Sequence, residues 1–267
     1  MELARWAVSC AILCCACAKN DVGTVNPSGS AVEANGATPA GASRVGGSGT
    51  VDAQGLEGLR VRFVGASFSQ GETELTKLLT AETGLAPTRI HTAAGAAALT
   101  AADLADEDVL VLDNLARVYT EAEATLLADW VNAGHGLIAT GGFEDDSSRA
   151  ASLTGSYGVS YVPGLIDTAS PGTYVTEFAL PALTNGVSSL LLYGAFRLAS
   201  ANENATAFAT LPPDRMGLAI THGAGRVIVW GDDWILSDQE LLRKDKAGSL
   251  PTSVFWTNAL GWVSQRD

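Results

Sequence analysis

Two unbroken aliphatic runs constrain this chain more than anything else in it. Asp108 to Asp113 (DVLVLD) is closed by a carboxylate, and Gly136 to Gly142 (GLIATGG) ends in a pair of glycines. Between them Thr120 opens a helix that runs through Ala133. Glu123, three residues on, completes a capping box, and Ala124, Leu127, Trp130 and Val131 form the apolar stripe. Gly134 ends it. A strand that is apolar at every position has no solvent face, so both runs read as parallel strands covered on both sides.

The same plan continues in both directions. Leu59 to Val64 reads as a strand ending in Gly65-Ala66-Ser67, and Thr88 to Thr92 as a short one. Between them Glu72 to Thr83 reads as a helix with Leu75, Leu78 and Leu79 on one face, stopped by Gly84 and Pro87. The second half is richer in strand signals: Tyr174 to Phe178, Ser189 to Leu198, Ala205 to Leu211, Met216 to Thr221 and Arg226 to Trp230. Gly223-Ala224-Gly225 joins the last two as a tight antiparallel hairpin. Pro251 opens a final helix through Ser264, with Val254, Phe255, Ala259, Trp262 and Val263 available for packing. The expected fold is a three-layer α/β/α sandwich, flavodoxin-like, with a mostly parallel central sheet and antiparallel strands added in the C-terminal half. It occupies residues 57–267 as one domain.

The N-terminus reads as an export address. Met1 to Ala18 has one cation, Arg5, followed by an apolar core from Trp6 to Ala16, within the ~7–15 residues of a signal peptide. All four cysteines lie here, at positions 10, 14, 15 and 17. Two processing outcomes stay open. Ala16-Cys17 supplies the last two positions of a degenerate lipoprotein box, with Cys14 where Leu is usual; acylation at Cys17, including a palmitate, would then anchor the chain. The alternative is ordinary cleavage after Ala16-Cys17-Ala18, giving a secreted or periplasmic protein. Either way the mature protein holds at most one cysteine, so it has no internal disulfide and no thiolate nucleophile. Residues 19–56, rich in Gly, Ala and Ser and without an aromatic residue, read as a disordered tether. The expected location is a bacterial cell envelope, at the outer membrane or cell surface.

Charge excludes other partners. The formal net charge is -13, with 16 Lys+Arg against 29 Asp+Glu, and such a surface repels nucleic acid and anionic lipid. Counted over residues 57–267, -12 of that -13 belongs to the domain.

Several segments together resemble the class I glutamine amidotransferase-like superfamily, and more closely its ThuA-like or non-catalytic relatives. They are Asp108 to Asp113, Trp130 to Gly136 (WVNAGHG) with Leu137 to Gly142, and Leu180 to Val187 (LPALTNGV). The last is similar to the family's His-Pro-Ile-Thr-x-Gly-Val with Leu180 in place of His. Gly223 to Trp234 (GAGRVIVWGDDW) resembles the closing Gly-x-Gly-Arg-Val hairpin, and Phe255 to Leu260 (FWTNAL) the terminal helix. The resemblance spans residues 59–264. It implies the fold above, but also a nucleophilic cysteine at the turn after Leu137 to Thr140 and a His-x-Glu dyad. This chain has Thr140-Gly141-Gly142 at that turn and Asp232-Asp233-Trp234 after the late strand. Thr140 has no adjacent base, and His91, His135 and His222 fall in a strand, a helix-terminal turn and a hairpin. Ammonia transfer from glutamine is therefore not expected.

In open α/β sheets ligands bind beyond the carboxyl ends of the strands. The residues expected there are Ser67, Asp113, Asn114, Thr140, Gly141, Gly142, Glu144, Asp145, Asp146, Asp232, Asp233 and Trp234. One reading makes them an acidic cleft with an aromatic wall, suited to a sugar or polyol, or in a variant to a hard cation. The other makes Glu144, Asp145 and Asp146 helix caps and Asp232-Asp233-Trp234 a packed turn. Gly141-Gly142 lacks the context of a nucleotide motif, so no cofactor and no metal are expected. Three functions follow: a catalytically degenerate binding domain, a carbohydrate-processing hydrolase using Asp113, Asp232 or Asp233, or a structural envelope module.

Overall fold

The computed structural model describes residues 55–142, 147–166 and 172–266. The leader, Cys17, almost all of the tether and Glu144, Asp145 and Asp146 lie outside the described residues. Everything described falls in one unit, Gly49–Asp267.

Five strands form a parallel core: β1 (Val61–Val64), β2 (Thr88–Ile90), β3 (Val109–Leu112), β4 (Gly136–Thr140) and β12 (Gly225–Trp230). Their order is β2-β1-β3-β4-β12, and every neighbouring pair is parallel. From β12 the sheet continues antiparallel through β11 (Asp214–His222), β10 (Ala205–Leu211) and the short β7 (Glu177–Phe178). A further antiparallel pair, β5 (Val159–Ile166) and β9 (Ala195–Ser200), joins the sheet where Leu198 meets Arg215 of β11. The β11–β12 hairpin closes on the two-residue turn Gly223-Ala224, with His222 opposite Gly225.

Strand side chains alternate between two cores, as a pleated strand requires. Val109, Val111, Ile138, Ile228 and Trp230 face a core shared with α1 (Thr73–Thr83) and α7 (Pro251–Ser264). Leu110, Leu112, Leu137, Ala139, Val227 and Val229 face the other, shared with α3 (Glu121–Asn132) and α4 (Ser147–Thr154). The fold is thus three-layered α/β/α, mostly parallel, with antiparallel strands in the C-terminal half. The capping box expected at Thr120 and Glu123 is formed. Helix α7 is buried over most of its surface: Phe255, Ala259, Trp262 and Val263 pack inward as expected, while Val254 is only partly buried. Trp256 is fully buried, its Nε1 donating to the Ile235 carbonyl at 2.9 Å.

Three expected strands differ from the observed ones. Ser189 to Leu198 is not one strand: it breaks at Tyr193-Gly194 into β8 (Leu190–Leu192) and β9. Tyr174 to Phe178 likewise divides into β6 (Thr173–Val175) and β7, and β6 pairs with β8 as a separate two-stranded sheet. The short strand expected over Thr88 to Thr92 stops at Ile90, because His91 turns to φ 56°. Strand β5 was not expected at all. Its Pro163-Gly164 pair reads as a breaker, yet β5 pairs only with β9, so the missing proline N–H falls on an edge, and the register shifts between Val162 and Ile166.

Candidate functional site

The carboxyl ends of the parallel strands carry the residues singled out in the sequence, and the fold gathers them in two groups. The first is built around Arg89 of β2. Its guanidinium donates to the carbonyls of Gly65 (3.1 Å) and Ala66 (2.8 Å) just past β1, and to Glu72 Oε2 (2.5 Å). It lies 4.5 Å from the Phe63 ring centroid and 3.6 Å from Asp113 Oδ2. Asp113 follows β3 directly and is fully buried. The backbone runs so close here that a Cβ on Gly65 would stand 1.8 Å from the Asp113 carbonyl oxygen. Asn114, next in the chain, holds φ at 41°, and its carbonyl accepts from the Ala66 N–H. Ser67 is exposed.

The second group lies where β4 and β12 end. Thr140 is 2% exposed, and its hydroxyl donates to the Leu112 carbonyl on β3 at 3.2 Å. The Thr140 hydroxyl is therefore committed to an inter-strand bond. A Cβ on Gly141 would meet the Tyr161 ring at 2.9 Å, and one on Gly142 would meet Asp233 Oδ1 at 2.6 Å. Glycine at 142 is thus what lets the β4 turn sit against Asp233. Asp232 and Asp233 are both buried. Asp232 accepts from the Trp234 N–H (2.7 Å) with one oxygen and from the Tyr193 N–H (2.5 Å) with the other. Half-buried Trp234 packs edge-on to Phe68, centroids 6.0 Å apart, and against Tyr193 at 5.0 Å.

Burial pushes the Asp232 carboxyl well above the usual range, and the neighbouring charge of Asp233 pushes the same way. The two backbone N–H groups oppose this by stabilising the anion. Chemically, this is a pair of buried acids, one of which retains its proton beyond the normal range. Among the described residues no group of three or more His, Cys, Asp or Glu side chains is placed to hold a metal ion.

The histidines have three different environments. His135 stacks on Trp130 at 4.4 Å, and His222 meets Tyr157 edge-on at 5.0 Å. His91 lies just past β2, where the sequence places it in the strand itself. Its positive φ is uncommon for a residue with a side chain. It lines a depression of about 650 Å³ that follows β2 and also includes Thr100 and Asp103. The ring stacks on Tyr119 with centroids 5.8 Å apart, and Nδ1 is 3.3 Å from the Tyr119 hydroxyl. Burial lowers its pKa, and Arg117 lowers it further. Nothing in the local sequence flags a positive φ at a histidine; only the tertiary packing reveals it.

No family model matches the sequence, and no curated protein matches it. Solved structures do. A cytoplasmic protein of Salmonella typhimurium is similar over 77% of this chain and 99% of its own, at 18% identity and a TM-score of 0.58. A ThuA-like protein from Bacteroides uniformis is similar over 85% of this chain and 95% of its own, at 12% identity and a TM-score of 0.52. At such identities the likeness concerns the fold alone, one that this chain shares with a ThuA-like protein.

Proposed function

We propose that this is an exported, lipid-anchored envelope protein whose amidotransferase-like domain is non-catalytic and acts by binding a ligand or partner. One observation carries the non-catalytic part. At the turn after β4 the chain offers Thr140, buried and bonded to the Leu112 carbonyl, in place of a nucleophile with a base beside it. The export and anchoring part rests on the sequence of residues 1–18, with Cys17 as the acylated residue, and on the tether that follows.

The hydrolase reading has one observation in its favour: an acid that keeps its proton above the usual range, as Asp232 does, suits general-acid chemistry. Against it, both Asp232 oxygens are already engaged by backbone N–H groups and no part of the side chain is exposed.

The test is an assay of the mature, membrane-extracted protein against glutamine and a panel of nitrophenyl glycosides, with an intact-mass measurement of the N-terminus. The proposal expects no turnover and a diacylated or triacylated Cys17. Turnover that disappears in Asp113→Asn, Asp232→Asn or Asp233→Asn would establish the hydrolase instead. An unmodified chain beginning at Lys19 would remove the anchor.

A further inference from the structure

The strongest concentration of positive charge in this acidic chain begins about ten residues after Asp233. Arg243, Lys244 and Lys246 place three cations within four positions, and no other four-residue window of the sequence does so. They line a cleft of about 650 Å³ together with Tyr174, Ser188, Ser189 and one carboxylate, Asp245. One wall is the two-stranded sheet, since Tyr174 belongs to β6 and the two serines lead into β8. The other wall is the turn that follows α6 (Asp238–Leu241).

This turn is held in shape before any ligand arrives. Asp245 accepts from the Ala247 and Ser249 N–H groups, both at 2.9 Å, and from the Ser188 hydroxyl at 2.8 Å, which ties the turn to the opposite wall. Its carboxylate is thereby occupied. Arg243 is occupied too: it donates to both oxygens of buried Glu240 at 2.8 Å and to the Ser189 carbonyl at 2.9 Å. Its guanidinium lies 4.8 Å from the Tyr174 ring centroid and so fixes that ring, which remains 43% exposed. Lys244 and Lys246 are different. Both are exposed, and neither makes an ion pair or hydrogen bond among the described residues.

We propose that this cleft binds an anionic sugar, a hexose unit bearing a carboxylate or a phosphate. The inference deepens the reading of the domain as a binding module and rests on it. The ammonium groups of Lys244 and Lys246 supply charge to an anion. The exposed Tyr174 ring offers an apolar face with a polar tip, as a pyranose requires; the Ser188 hydroxyl, which donates to Asp245, can still accept a bond, and that of Ser189, which accepts from Arg243 at 3.2 Å, can still donate one. A volume of about 650 Å³ suits a small ligand, since such pockets run from ~300 to ~1,000 Å³. The pre-set turn lowers the ordering cost of binding.

The experiment is calorimetric titration of the full mature chain with glucuronate and with glucose 6-phosphate. Glucose and inorganic phosphate serve as controls, and Lys244→Ala/Lys246→Ala and Tyr174→Ala as variants. The proposal expects one or both charged sugars to bind, and which one binds identifies the anionic group. Affinity should fall at least tenfold in the double lysine variant and weaken with added salt, with an unchanged melting temperature showing that the fold is intact. Tyr174→Ala should weaken sugar binding as well. Four results would overturn it: no binding of either charged sugar, equal binding of glucose, equal binding of inorganic phosphate, or wild-type affinity in the double variant. Turnover in the assay described above would remove the non-catalytic reading and leave this titration to decide the cleft.

Discussion

Glu123 does more than cap a helix. Its carboxylate receives the Thr120 N–H and hydroxyl, the Leu99 N–H and two donors of Arg117, while only 4% of the side chain is exposed. Arg117 in turn lies 4.0 Å from the Tyr119 ring centroid, and Tyr119 stacks on His91. Glu123→Ala leaves the guanidinium without its carboxylate and is expected to cost about 3–5 kcal/mol, measured by urea unfolding. Arg117 holds the Glu123 carboxyl far below its usual range. Because the folded-state pKa is depressed, the stability it contributes is complete above the unfolded value of 4.5 and is lost as pH falls below it. The gap between wild type and Glu123→Ala should therefore narrow with acidification below pH 4.5. His91 makes a second prediction. At φ 56° glycine carries no steric penalty, so His91→Gly should be more stable than His91→Ala by about 1 kcal/mol, the reverse of the usual order. Equal melting temperatures for the two variants would show that the left-handed backbone costs nothing there.

At the scale of elements, legibility depended on whether local pattern and tertiary pairing agreed. The runs at β3 and β4 are buried on both faces, so an uninterrupted apolar stretch was sufficient to reveal them. The hairpin at Gly223-Ala224 and helix α7 announced themselves through turn chemistry and a proline at the first helical position. The breaks in the second half did not. Ser189 to Leu198 reads as one strand until Asp232, distant in sequence, draws in the Tyr193 N–H and Gly231 accepts from the Phe196 N–H at 2.6 Å. Strand β5 was hidden by a proline that its edge position tolerates. Two segments of the family resemblance do meet in space. Asn258 of α7 donates to the carbonyls of Leu183 (3.2 Å) and Asn185 (2.9 Å), joining the last helix to α5 (Pro181–Thr184) and its flanking turn. Asn258→Ala should lower stability by about 1–2 kcal/mol. A shift in denaturant midpoint at constant m-value is the expected sign.

For the whole molecule, the position of the strand-end residues was legible in the sequence but their burial was not. Sequence placed Asp113, Thr140, Gly142, Asp232 and Asp233 at strand ends. It could not show that they are buried, because burial there is set by packing across strands: Tyr161 from β5, Tyr193 before β9 and Phe68 after β1 surround Gly141, Asp232 and Trp234. The cationic cleft is not legible in the sequence because its walls come from β6, the residues leading into β8 and the turn after α6, brought together only by the fold. On the proposed non-catalytic reading, the Asp232 carboxylate serves the packing of this domain and does no chemistry in it. The melting temperature of Asp232→Ala tests that most directly. Removing the carboxylate leaves the Tyr193 and Trp234 N–H groups without their acceptor, at about 1–3 kcal/mol each, partly offset by relief of a buried acid. A net loss of about 1–3 kcal/mol lowers the melting temperature by roughly 2–4 °C per kcal/mol. Because the Asp232 pKa is raised in the folded state, the difference should be largest near or below the unfolded value of 3.8 and shrink as pH rises above it. A variant that melts at or above the wild-type temperature would contradict the claim, since that is how a carboxylate kept for chemistry at the expense of stability behaves.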